Sequence, residues 1–218
     1  MTITPESVQQ LLSSDDFGDR LRGVNQLREL PPAIAFELIQ VPIKDSNSRV
    51  RYAAVSQMAT LGEQNLETSY QILHHHLLND PEIDVQAAAA DALGALKLKD
   101  AFDDLQKLYN TTPEWLVKLS IVAAVGVIGE PRAFELLEIA LQDENSLIQT
   151  VAISALGELG DRRAVPLLVP YITNSDWQIR YRVAQALSRL GGQEVEAPLK
   201  QLAEDEVEIV AQEARTQS

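Results

Sequence analysis

Apolar residues recur at three- and four-residue intervals along most of the chain, and the recurrences come in blocks. In DENSLIQTVAISALGELG (143–160) they fall at Leu147, Ile148, Val151, Ala152, Ala155, Leu156 and Leu159. That spacing places them on one face of a helix. The pattern returns in NSDWQIRYRVAQALSRLG (174–191), DSNSRVRYAAVSQMATLG (45–62), DPEIDVQAAAADALGALK (80–97) and TPEWLVKLSIVAAVGVIG (112–129). The openings Asp45, Asp80, Thr112, Asp143 and Asn174 are 35, 32, 31 and 31 residues apart. One more step of 31 reaches Asp205 and DEVEIVAQEA, and a degenerate copy is read from Asp16 in DFGDRLRGVNQLREL, which makes seven. A fixed period of this length marks a repeat array.

Each block opens on Asp, Asn or Thr, residue types that cap helix N-termini. Pro81 and Pro113 come early, where a missing N–H costs least. Gly62, Gly129, Gly160 and Gly191 close their blocks and suit a left-handed C-terminal position. Lys97 stands in that place in another block and predicts a different ending. Between the blocks run further amphipathic stretches, at 66–78, 101–109, 132–141, 162–172 and 194–203. Pro166, Pro170 and Pro198 inside them predict kinked or shortened helices. One helix–turn–helix of this size cannot bury its own apolar faces, so neighbours must stack. The expected fold is all-α, a right-handed α-solenoid of six to seven short helical hairpins. The helices of the repeated blocks, the second of each pair, are expected to line its concave face. A single domain over 1–218 is expected, with 1–30 as N-terminal cap and degenerate first repeat and 204–218 as acidic C-terminal cap.

Composition narrows the chemistry. Among 218 residues, 18 are Lys or Arg and 32 are Asp or Glu, a net charge of −14. Such a surface repels phosphate, which argues against nucleic acid and anionic membrane as partners. There is no cysteine, and so no disulfide, thiolate nucleophile or cysteine metal site. Neither a signal peptide nor an apolar run of about 20 residues is present, so a cytoplasmic protein without a transmembrane segment is expected. No P-loop, G-x-G-x-x-G or G-x-S-x-G motif occurs.

The string D-x-x-x-x-V-R-x-x-A-A-x-A-L-G-x-L-G-D-x-R-A-V-P-x-L is approached at 45–62, 80–97, 143–168 and 174–191. It resembles the short HEAT-like repeat of the cyanobacterial phycobilin lyase family, and the resemblance runs from 16 to 205. The opening LLSSDDFGDRLRGVNQLREL and the short chain most resemble the branch of that family concerned with phycobilisome degradation. The resemblance implies an enzyme-like role on phycobiliprotein subunits, attaching or detaching an open-chain tetrapyrrole at a cysteine of the partner. Phycobilin is then the ligand or substrate, no cofactor is tightly bound, and the place of action is the cytosolic or stromal face of the thylakoid. It also implies that homo- or hetero-oligomers are open to the chain, since a related lyase works as two unlike solenoids. The same repeat occurs in scaffolds, so a non-enzymatic adaptor for phycobilisome or other subunits stands as the alternative.

Six residues after the openings stand Arg22, Arg51, Gln86, Lys118, Gln149 and Arg180. Stacking would align them as a ladder. Two roles are open to it: a cationic stripe for carboxylates or propionates, or an inter-repeat ladder of Asp with a basic residue six later, as in Asp16/Arg22, Asp45/Arg51 and Asn174/Arg180. Trp115 and Trp177, the two tryptophans, hold equivalent first-turn positions, followed on the same surface by Tyr52 and Tyr181. They either contact a ligand or partner or plug gaps between repeats. The candidate bilin- or partner-binding set is Arg51, Tyr52, Trp115, Lys118, Trp177, Arg180, Tyr181 and Arg182. No catalytic residue is assigned. His74, His75 and His76 point about 100° apart on a helix and cannot share one metal ion. His76 is within reach of Asp80. The carboxylate runs Asp15/Asp16, Asp103/Asp104 and Glu204/Asp205/Glu206 are expected to be caps or solvated surface.

Overall fold

The computed structural model describes residues 2–215, and among them are fourteen α-helices and no strand. They group into two compact units, 1–124 and 125–218. The first holds α1 (Pro5–Leu12), α2 (Phe17–Gln26), α3 (Pro32–Ile39), α4 (Ser48–Leu61), α5 (Leu66–Asn79), α6 (Ile83–Ala95), α7 (Phe102–Thr111) and most of α8 (Trp115–Ile128). The second holds the end of α8, then α9 (Ala133–Ala140), α10 (Ser146–Leu159), α11 (Val165–Leu168), α12 (Trp177–Leu190), α13 (Glu196–Leu202) and α14 (Glu208–Arg215). The fold class is all-α, with helical hairpins stacked as in an α-solenoid. In the first unit α2, α4 and α6 lie side by side; in the second α10, α12 and α14 do. Buried Val24, Met58, Leu73, Leu93, Phe102 and Ile121 fill the first core, and Leu137, Ile153, Leu156, Leu168, Val183 and Val210 the second.

The block openings are turns, not caps. In every copy the opening side chain accepts the backbone N–H two residues on: Ser14 from Asp16, Asp45 from Asn47, Asp80 from Glu82, Thr112 from Glu114, Asp143 from Asn145, Asn174 from Asp176 and Asp205 from Val207, at 2.8–3.2 Å. Such side-chain turns aim the chain into the helix. Capping falls to the later residue, as when Asn47 accepts from Arg49, Asn145 from Leu147 and Asp176 from Gln178. Pro81 and Pro113 stand between opening and cap, at the one N–H the turn leaves unused. The first copy therefore opens at Ser14, two residues before the expected Asp16, and Asp16 is its N-cap.

Endings follow backbone sterics. Gly129 and Gly160 have φ of 70° and 74°, and Gly160 closes its helix left-handed as expected; Gly191 has φ 60° but an extended ψ of −174°, so it departs from left-handed closure, and Lys97 takes a positive φ itself, 52°. Gly62 departs from the expectation. Its φ is −61°, and the chain runs on into a short 3-10 turn. A Cβ there would stand 2.6 Å from Leu96 Cδ1 and 3.0 Å from Ser69 Oγ, so both side chains would have to shift to admit one. A further series lies within the helices: Gly94, Gly126 and Gly157 each lie against an alanine of the next second helix, Ala124, Ala155 and Ala186. Pro166 and Pro170 split 162–173 into 3-10, α and 3-10 segments, as expected, whereas Pro198 sits in the first turn of α13 and is accommodated there.

Candidate functional site

Two surfaces carry the chemistry-bearing side chains, and the expected residues divide between them. Arg51 and Arg180 belong to the first. Arg51 grips the Asp80 carboxylate through Nε and Nη2 at 3.0 Å each, and its Nη1 donates to the carbonyls of Asp45 and Ser46. Arg180 does the same with Asp205, at 2.6 and 2.9 Å, and with the carbonyls of Asn174 and Ser175. Each guanidinium is nearly buried. A ligand carboxylate would have to displace an aspartate already held by two bonds. The basic residue pairs with the opening of the next copy, not of its own. In the first copy that residue is Arg20, bonded to Asp45 at 2.6 and 2.9 Å, while Arg22 is exposed and pairs with Asp19. The expected Asp16/Arg22 pair is thus replaced, because the copy opens at Ser14. Gln86 and Gln149 keep the bond to their own opening carbonyls at 2.8 Å.

Charge balance on this ladder is strong. Burial opposes ionisation of Asp80, yet bonds from Arg51, the Glu82 N–H and His76 outweigh it and hold the carboxyl below its ordinary range. Burial is the larger influence on neighbouring His76 and pulls its pKa below 6.5, against the bond that its Nδ1 makes with Asp80 at 3.0 Å. His74 bonds Asp104 at 2.8 Å and stacks on Tyr70, and His75 is exposed. No group of three metal-ligand side chains gathers among the described residues. Asp205, expected as surface, is the buried acceptor of Arg180.

In each unit a second set of side chains stands on the first turns of the second helices. Trp115 is 49% and Trp177 40% exposed. Phe17, Ile83 and Trp115 in the first unit, and Leu147, Trp177 and Ile209 in the second, all expose large apolar side chains three or four residues past their openings. Tyr52 is exposed as well. In the second unit Arg182 donates to Gln185 at 3.2 Å, and Gln185 donates to the Tyr181 hydroxyl at 3.1 Å. Lys118 is half-buried, its ammonium 5.5 Å from the Tyr109 ring centroid. Hence Arg51 is held in the ladder while Tyr52, adjacent in sequence, is exposed.

Beside Tyr52 lies a groove of about 350 Å³ between α4, α6 and α8, lined also by Arg49, Asp84, Val85, Asp91, Leu116 and Ser120. Asp91 was not among the expected site residues. Protein packed around the groove displaces water from its carboxyl and raises its pKa, against a lowering bond from Ser120, although the side chain stays open at the groove mouth.

The profile for HEAT repeats matches residues 70–156 and 135–218. The chain belongs to the HEAT-repeat family. A comparison with curated proteins gives no match. Among solved structures the HEAT chain is similar to one from the complex of CpcE and CpcF of phycocyanin lyase from Nostoc sp. PCC7120, at 21% identity and TM-score 0.68, covering 100% of this chain and 96% of that one. It is also similar to YibA of E. coli, at 17% identity and TM-score 0.65, covering 97% and 82%, and to an engineered protein, at 20% and 0.64, covering 98% and 67%. At these identities the likeness is one of fold. No helix among the described residues is long and apolar enough to cross a membrane.

Proposed function

We propose that this HEAT-repeat chain acts on phycobiliproteins. It docks a subunit on the first-turn row and handles the bilin there, in the direction of detachment during phycobilisome breakdown. The observation that supports this most is the row itself. Half-exposed tryptophans and a tyrosine recur on a surface that the core does not need. Such rings give rigid apolar anchors to a protein partner and stacking faces to a conjugated pyrrole system. Support of a second kind is the fold likeness to a phycocyanin lyase chain over nearly the full length of both.

Detachment breaks the bond between the partner's cysteine sulfur and a bilin carbon. The adjacent carbon gives up a proton, a C=C bond re-forms, and the sulfur leaves as the thiol. Attachment is the reverse, and neither needs an oxidant. With no cysteine of its own, the chain would contribute position: aromatic faces for the rings, an exposed arginine within one unit (Arg49 in the first, Arg182 in the second) for a propionate, and a fixed approach. The test is to mix the protein with chromophorylated and apo phycocyanin subunits and with free phycocyanobilin, and to follow visible absorbance and co-elution. A shifted or bleached spectrum is expected. If neither binding nor a spectral change occurs, the reading is lost.

One observation favours an adaptor instead. The row holds no nucleophile, and all three imidazoles lie on α5, away from it. Binding of the subunit with an unchanged spectrum in every mixture would select the adaptor.

A further inference from the structure

The groove beside Tyr52 has an unbalanced charge. Its acidic centre is Asp91 on α6, which lines the groove together with Ser120 of α8, and no ion pair to its carboxylate is seen among the described residues. Arg49 lines the same groove without pairing with it, while Glu82 and Asp84 add two further negative charges. Val85 and Leu116 make the groove partly apolar, and Tyr52 flanks it.

The repeat array itself indicates what fits such a place. Asp91 stands eleven residues past its opening Asp80, as Gln185 stands past Asn174. At Gln185 the array supplies a guanidinium from within: Arg182, eight past the opening, donates to Gln185, which donates to Tyr181. In the copy that carries Asp91, the residue eight past the opening is Ala88, which lines the groove and leaves the place of that arginine empty of side chain. The second unit therefore fills a position of this type with an arginine of the same helix, whereas the first offers a carboxylate and a tyrosine with Ala88 in that arginine's place, Arg49 lining the groove from α4.

We propose that the groove between α4, α6 and α8 receives the guanidinium of an arginine side chain carried by the docking protein. The inference rests on the reading that a protein docks on this row, and it adds the chemistry of one contact. A guanidinium presents a planar fork to the Asp91 carboxylate. Its methylene stem lies along Val85 and Leu116, and its face can meet the Tyr52 ring. A metal ion is a poorer occupant, since no three ligand groups converge among the described residues. The net charge of −14 attracts the cation at long range.

The test uses the whole protein, isotope-labelled, and N-acetyl-L-arginine N-methylamide as probe, with the citrulline analogue as its uncharged isostere. The arginine probe is expected to shift the amide signals of Tyr52, Asp91 and Ser120, and added salt to weaken it. Asp91→Asn should cost about tenfold in affinity, the size of one charged hydrogen bond. Ala88→Arg should block the probe by supplying an arginine in cis. Circular dichroism of both variants checks the fold, and Asp91→Asn decides alone if Ala88→Arg does not fold. No shift at these residues, equal binding of the citrulline analogue, or an unchanged Asp91→Asn would overturn the proposal. Probe binding without capture of any phycobiliprotein subunit would overturn the docking reading and leave the arginine groove standing. Capture that is indifferent to Asp91→Asn would do the opposite.

Discussion

Arg51 and Asp80, 29 residues apart, are joined by two N–H···O bonds of 3.0 Å, while the third nitrogen of the same guanidinium holds the carbonyl of Asp45 at 2.9 Å. One side chain thus ties the opening turn of its own repeat to that of the next. The residue at this position changes with its neighbour. Arg20, Arg51 and Arg180 face Asp45, Asp80 and Asp205, whereas Gln86 precedes an opening at Thr112 and Gln149 one at Asn174. Charge is present on both sides or on neither, as expected where a lone buried charge is far costlier than a pair.

That relationship predicts non-additivity. Arg51→Gln leaves Asp80 ionised and poorly paired, and should cost about 3 kcal/mol in urea unfolding. Asp80→Asn alone should cost a similar amount. Combining them reproduces the Gln149/Asn174 arrangement, and the double variant should lie within about 1 kcal/mol of the starting protein. Additive losses would show that the pair is not a closed unit.

His76 predicts an acid-side weakness. Its pKa in the fold lies below the ordinary 6.5, chiefly through burial. A histidine with a depressed folded pKa favours the folded state while neutral. Its contribution is complete above 6.5 and is lost as pH falls from there through the folded value. Asp80, Arg51 and His75 are the charged or titratable groups that act on it, and Asp80 stays ionised over this range because its own pKa is lowered. His76→Asn keeps a donor towards Asp80 without the titration. Unfolding measured between about pH 7.5 and pH 5.5 should show a steeper loss for the starting protein than for the variant. Parallel curves would contradict this.

The period, the helical faces and the paired tryptophans are all legible in the sequence, because each is a matter of spacing. The ladder is legible only in part. Asp16 looks like an opening residue as much as Ser14 does, and nothing in spacing alone says that Arg20 reaches forward to Asp45 while Arg22 stays on its own turn. The choice is made by the Ser14 turn, which sets where α2 begins. Asp91 was missed for a different reason. An aspartate in an alanine-rich helix reads as its solvated face, and its unusual state comes from α6 and α8 lying together around a groove. The signal that could have found it is the alignment of Asp91 with Gln185 and of Ala88 with Arg182.

Lys97 carries backbone strain. At φ 52° its Cβ crowds the backbone, a conformation that costs about 1–2 kcal/mol outside glycine. Lys97→Gly should raise stability by about 1 kcal/mol, after the extra freedom of glycine in the unfolded chain is counted. No gain, or a loss, would mean that the lysine side chain makes a compensating contact.

The glycine series predicts the reverse at Gly157. A Cβ there would stand 2.7 Å from Ala186 Cα, a backbone atom that cannot swing aside. Gly157→Ala gains about 1 kcal/mol of helix propensity, but overpacking of up to about 3 kcal/mol exceeds it. A net loss of about 2 kcal/mol is expected, recovered in part by Ala186→Gly, since that removes the other Cβ of the contact.

The exposed tryptophans allow the docking surface to be separated from the core. Leu93 is fully buried, and Leu93→Ala should cost about 2–5 kcal/mol of stability by leaving a cavity. Trp115 and Trp177 are each open over two-fifths or more of their surface, so their replacement by alanine should leave helical content unchanged and lower the melting temperature less than Leu93→Ala does. Their effect belongs to binding. As anchors they should each cost about 2 kcal/mol or more of affinity for the docked subunit, roughly thirtyfold. The control is Ile139, which is 60% exposed but lies on α9, outside the first-turn row. Ile139→Ala should leave affinity unchanged, although it removes a side chain at least as open. Equal losses at Trp115, Trp177 and Ile139 would mean that exposed apolar area, wherever it lies, governs association, and the row would lose its standing as the docking surface.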